Sequence, residues 1–79
     1  MLQGRREIVV DFKKLKEVID DSGMTMVAIS AKSGILRATL YNKLAGNGEF
    51  TASEIEGLSD ALKLTSGQRN SIFFAKQVE

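Results

Sequence analysis

The 79-residue chain contains no histidine, cysteine, proline or tryptophan. Without imidazole or thiolate it lacks the common metal ligands, the usual general base, the cysteine nucleophile and every disulfide. The expectation is a protein that is not an enzyme and takes no cofactor and no metal. No apolar run approaches the roughly 18 residues of a membrane span. The opening Met1-Leu2-Gln3-Gly4-Arg5-Arg6 lacks the long apolar stretch of a secretory signal. A cytoplasmic protein without a membrane partner is expected. Charge of one sign is also scarce: the formal net charge is +1, too small to announce a nucleic-acid partner by its sum. A chain this short buries only roughly 60% of its unfolded surface, so a single core must use nearly all the apolar residues.

What is present favours helix. Branched aliphatic residues recur at helical intervals, and helix starts follow a repeated design in which an apolar residue precedes a capping residue, with a second apolar residue at the fourth helical position in three of them. Val10-Asp11 with Leu15 opens the first, whose buried stripe is Phe12, Leu15, Val18 and Ile19, and Ser22-Gly23 stops it. Met24-Thr25 with Ile29 opens another. Phe50-Thr51 with Ile55 opens a third, with Glu54 as the reciprocal capping partner of Thr51. Leu64-Thr65 opens the last, with Gln68 in that role. One further helix falls between them and ends at Ala45-Gly46-Asn47-Gly48. The reading is an all-α, five-helix domain with helices at about 11–22, 25–32, 36–44, 52–62 and 66–76. It is taken as a single domain over 1–79, with 1–10 as an N-terminal arm. Ile8-Val9-Val10 is a β-favouring run without another strand in view, which leaves three forms open: a free or core-covering arm, a strand pairing with a second subunit, or a further turn of helix.

The charges are unevenly distributed. Residues 23–48 carry Lys32, Arg37 and Lys43 and no acid, whereas residues 49–62 carry Glu49, Glu54, Glu56 and Asp60 and no base. The acid-free piece contains Ser30 to Gly46, in which one glycine separates two short helical runs. Gly34 stands where the chain reverses, and glycine enters the left-handed region without penalty. Small Ser30 permits the second helix to cross closely over the first. Ile29, Ile35, Leu40 and Leu44 then face a core, leaving Arg37, Ala38, Tyr41, Asn42 and Lys43 outward. A helix-turn-helix has this arrangement, and its second helix enters the DNA major groove.

The stretch MTMVAISAKSGILRATLYNKLAGNGEFTASEIEGLSDAL resembles the lambda-repressor-like helix-turn-helix of the XRE, or Cro/CI-type, regulators. Thr25, Ile29, Gly34, Ile35, Thr39 and Leu40 carry the resemblance. The continuation Lys43-Leu44-Ala45-Gly46 and Glu49-Phe50-Thr51 is similar to a subgroup of small, often prophage-associated regulators. Met26 stands where that family usually has glutamine, Leu36 where it has a capping serine, and Ser30 where it has alanine. The resemblance implies sequence-specific binding of double-stranded DNA and transcription regulation, as a repressor of phage or prophage type acting as a homodimer. It places Arg37, Ala38, Tyr41 and Asn42 towards bases, with Tyr41 near the backbone side. Arginine pairs with a guanine edge, asparagine with adenine, and alanine contacts a thymine methyl. Thr25, Lys32, Thr39, Lys43 and Asn47 are read as phosphate contacts, which position without reading sequence; Thr39 has packing inward as its alternative.

Other features take plainer readings. Met24 and Met26 fill irregular core gaps. Asp20 and Asp21 point in different directions on a helix and have no nucleophile or metal partner. Ile72-Phe73-Phe74 cannot all face one core, which suggests a dimer contact. The rival reading is a small helical protein-protein interaction module that keeps the fold without binding DNA, with a protein partner in its place.

Overall fold

In a computed structural model of the chain, the backbone is described over residues 5–78 and side chains over residues 8–74. The element order is β1 (Arg5–Val10), α1 (Phe12–Ser22), α2 (Met26–Ser33), α3 (Arg37–Leu44), α4 (Ala52–Ala61), α5 (Ser66–Ile72) and β2 (Phe73–Val78). The domain is mostly helical and carries a two-stranded antiparallel sheet. It is therefore not all-α.

The helices begin where local capping dictates. Asp11 accepts from the Lys14 N–H, Thr25 from the Ala28 N–H, Thr51 from the Glu54 N–H and Thr65 from the Gln68 N–H. Each satisfies one of the donors that a first helical turn leaves without a partner. Thr51 with Glu54 and Thr65 with Gln68 close reciprocal capping boxes. Only α3 starts without side-chain help, at Leu36.

The fifth helix is shorter than its periodicity suggests. It stops at Ile72, and the residues expected to continue it to 76 form β2 instead. Strand β2 pairs with β1 in the register Val10↔Phe73, Val9↔Phe74, Ile8↔Ala75 and onward to Arg5↔Val78. The Ile8-Val9-Val10 run is thus a strand, and its partner lies in the same chain. Of the expected N-terminal arm, residues 1–4 lie outside the described residues. An isolated two-stranded ribbon is marginal in water, so its base needs an anchor. Phe73 is buried and Val10 packs against the core. The Asp11 N–H also donates to the Ile72 carbonyl at 2.8 Å, joining the start of α1 to the end of α5. Phe74, one residue on, faces the other side of the ribbon and is exposed.

The core comprises Leu15, Ile19, Ile29, Ile35, Leu40, Phe50, Leu58, Ile72 and Phe73, with Met24 and Met26 among the partly buried residues packed on it. One contact sets how α2 lies on α4. A Cβ built on Gly57 would stand 2.2 Å from the Ser33 carbonyl oxygen. Only glycine lets these backbones approach so closely.

Candidate nucleic-acid interface

The α2–α3 unit turns through Gly34, Ile35 and Leu36. Gly34 has φ 77° and its N–H donates to the Ser30 carbonyl at 3.0 Å, a left-handed helix stop. The Ser30 hydroxyl donates to the Ile35 carbonyl, and the Ile35 N–H donates to Ser33 Oγ at 3.3 Å. The turn is therefore held from within by the two serines. Ile29 and Leu40, one on each helix, are fully buried, so both helices are pinned to the core by their inner faces.

Burial along α3 sorts its residues into faces. Leu40 is buried and Leu44 is partly buried, while Arg37, Ala38, Tyr41 and Asn42 are all exposed. At about 100° per residue, those four residues and Ala45 span an arc of roughly 140°. Arg37 and Asn42 lie at its two edges. Ala38, Tyr41 and Ala45 lie between. The four residues expected to face bases therefore share one open surface.

The residues expected to touch phosphate do not form such a unit. Lys32 and Asn47 are exposed, Thr39 is half-buried, and Thr25 uses Oγ1 to cap α2. Lys43 departs from its expected outward position. Its ammonium pairs with Glu54 Oε1, and both side chains are largely covered. It also lies 5.9 Å from the centroid of the Phe50 ring. Burial by itself would raise the Glu54 carboxyl; the hydrogen bond from Lys43, the Thr51 N–H and the Lys43 charge outweigh it and hold the carboxyl below its ordinary range. The positive charge of Lys43 is thus neutralised locally, and Arg37 and Lys32 remain as the exposed cations of the unit.

Leu36, which stands in place of a capping serine, starts α3 without a side-chain bond and is 77% exposed. A feature that the sequence reading did not contain is a shallow groove between α1 and α3 that sets Lys16 and Asp20 beside Tyr41 and Ala45. No local pattern reveals that juxtaposition. Among the described residues, no group of three or more Asp or Glu side chains is placed to hold a metal ion, and no helix is long and apolar enough to cross a membrane.

The fold and this surface define a small, mostly helical domain in which β1 and β2 form a two-stranded ribbon and one helix is displayed on a hydrogen-bonded turn. Comparisons with protein-family models, with curated proteins and with solved structures each return no match.

Proposed function

We propose that the chain is a sequence-specific double-stranded DNA-binding protein of the lambda-repressor-like, XRE type, with α2 and α3 as its helix-turn-helix. It acts as a transcription regulator, a repressor of phage or prophage type. The observation that carries this reading is the division of α3 into a core face and an open face bearing Arg37, Ala38, Tyr41 and Asn42. A helix fixed from behind and open along its outer side is free to enter a major groove, where arginine and asparagine each make paired hydrogen bonds to a base edge. The absence of acids from Gly23 to Gly48 keeps like charge to phosphate out of this unit, and the neighbouring Asp20 of α1 stands with Lys16 beside Tyr41. Lys32, Thr25 and Asn47 are the phosphate contacts in this scheme. Lys43 is left out because Glu54 holds it.

The active form is a homodimer that sets two recognition helices about 34 Å apart on a two-fold site. The ribbon face carrying Val9 and exposed Phe74 supports a contact between copies, since it lies opposite the face anchored in the core.

Selection of bound sequences from random duplexes at two salt concentrations tests the reading. Recovery of a palindromic motif that Arg37→Ala relaxes at one position is the expected result. Absence of any preferred sequence refutes it. The second reading, a protein-interaction module, is favoured by the exposure of Val27, Leu36 and Tyr41 and by the α2–α3 unit carrying just two exposed cations, Lys32 and Arg37. In that case neither Arg37→Ala nor Lys32→Ala changes any interaction with DNA.

A further inference from the structure

Among the described residues, the large exposed apolar side chains fall in two places. Ile8 and Phe74 are on the ribbon; Val27, Leu36 and Tyr41 are on the α2–α3 unit. The second group lies where a duplex-binding protein meets its ligand, and it is placed unusually for a surface meant to read hydrogen bonds. Along α3, the polar readers Arg37 and Asn42 sit at the edges of the open arc, and the middle is Ala38, Tyr41 and Ala45. Leu36 projects from the leading end of the helix, 77% exposed and without a capping bond. The centre of the surface therefore offers few hydrogen-bonding groups. It offers instead two methyl side chains, an aromatic ring that is 53% exposed, and a branched aliphatic tip.

The thymine 5-methyl is the apolar group that the major groove displays. We infer that this strip is a methyl reader: in each half-site, the base pair between the one read by Arg37 and the one read by Asn42 presents a thymine, and a further thymine lies under Leu36 at the start of α3. The spacing agrees. Arg37 and Asn42 are separated by about 7.5 Å along the helix axis, close to two base-pair steps of roughly 3.4 Å. Small Ala38 and Ala45 let the helix backbone approach the base edges, so that the Tyr41 ring and the Leu36 tip close over the methyls on either side. Within the α2–α3 unit there are no acids and Lys32 and Arg37 are exposed, and Asp20 of α1, which borders the Tyr41 and Ala45 side, is accompanied there by Lys16; this balance favours a polyanionic duplex over an apolar protein surface as the occupant.

This inference rests on the DNA reading proposed above, and one experiment separates the two. Within the site recovered from random duplexes, each thymine is replaced in turn by deoxyuridine, which removes the methyl and keeps every hydrogen-bonding group. Binding of the full chain should weaken by about fourfold at each methyl covered, the equivalent of roughly 0.8 kcal/mol for one buried CH2-sized group. Leu36→Ser and Tyr41→Ser should each abolish the deoxyuridine penalty at one thymine and leave the others. Both side chains are exposed, and serine at position 36 is a favourable helix cap, so these variants keep the fold. A selected motif that Arg37→Ala relaxes but that tolerates deoxyuridine throughout overturns the methyl reader and leaves DNA recognition standing. No sequence preference at all overturns both and points to a protein partner on the same apolar strip.

Discussion

Lys43, in the last turn of α3, donates to Glu54 in the first turn of α4, so that one carboxylate oxygen serves both the Lys43 ammonium and, at 2.8 Å, the Thr51 N–H. The pair ties the end of the displayed helix to the start of the next. Phe50 lies under the Lys43 ammonium and packs edge-on against Phe73 of β2, with ring centroids 5.6 Å apart. The path from α3 to the ribbon is therefore continuous.

Because Glu54 already neutralises Lys43, Lys43→Ala should behave as a stability change. It is expected to cost about 1 to 2 kcal/mol, the range of a charge-assisted hydrogen bond reduced for partial exposure. The salt dependence of DNA binding should stay as it was. Lys32→Ala should do the opposite, reducing the slope of log affinity against log salt by about 0.9 for each copy bound without altering the melting temperature. Salt titrations and thermal melts of the two variants check the assignment.

Glu54 also sets a pH dependence. Its folded carboxyl titrates below its ordinary range, so the proton binds the unfolded chain more readily than the folded one. The stability it contributes is fully present above the ordinary glutamate pKa and is lost as pH falls through the lowered folded value. Glu54→Gln keeps an acceptor for the Thr51 N–H and removes the charge. Its acid-unfolding curve should be flatter than that of the unmodified chain in this window. Equal slopes would mean that the pair with Lys43 does not shift the carboxyl.

At Gly57 the expected effect of alanine has two opposed parts. Helix propensity favours alanine by about 1 kcal/mol, yet the new Cβ would stand 2.2 Å from the Ser33 carbonyl oxygen. The helices must separate, and overpacking of this kind costs about 1 to 3 kcal/mol, more here because the obstacle is backbone. Gly57→Ala should lower the melting temperature by several degrees and disturb the seating of α2. Gly57→Ala melting at or above the unmodified chain would show that α2 and α4 do not approach this closely.

Lys63 offers the reverse case. It ends α4 at φ 53°, with the Leu64 N–H donating to the Ser59 carbonyl at 2.9 Å. A non-glycine residue in that conformation carries a cost of about 1 kcal/mol. Lys63→Gly should raise the melting temperature by about 5 °C. A fall would place the backbone there outside the left-handed region.

The ribbon supplies the test of the dimer. Phe74→Ser removes the exposed ring without touching Phe73, which anchors β2 in the core. Sedimentation equilibrium should show the unmodified chain as a dimer and this variant as a monomer at the same concentration, with the melting transition retained. A monomeric unmodified chain across the micromolar range would refute the two-fold arrangement.

The capping signals and the glycine stop were legible because they act over three to five residues. Asp11, Thr25, Thr51 with Glu54, and Thr65 with Gln68 each bond within their own first turn, so residue order alone locates α1, α2, α4 and α5. The open face of α3 was legible in part for a related reason: burying Leu40 and Leu44 turns Ala38, Tyr41 and Asn42 away from the core, whereas Arg37 shares the side of Leu40 and is exposed at the first position of the helix. The end of α5 was not. Ile72, Phe73 and Phe74 satisfy a helical pattern as readily as a strand, and what decides between them is β1, which arrives from the other end of the chain.

The sequence by itself determined where helices start, that Gly34 turns the chain, and which side of α3 is open, because each follows from dihedral preference, local hydrogen bonding or helical periodicity. Tertiary structure decided the rest. It paired β1 with β2 in a ribbon, brought Glu54 to Lys43 across the α3–α4 turn, set Gly57 against the Ser33 carbonyl and placed Asp20 beside Tyr41. Each joins residues on different elements, and such contacts form only once packing has brought those elements together.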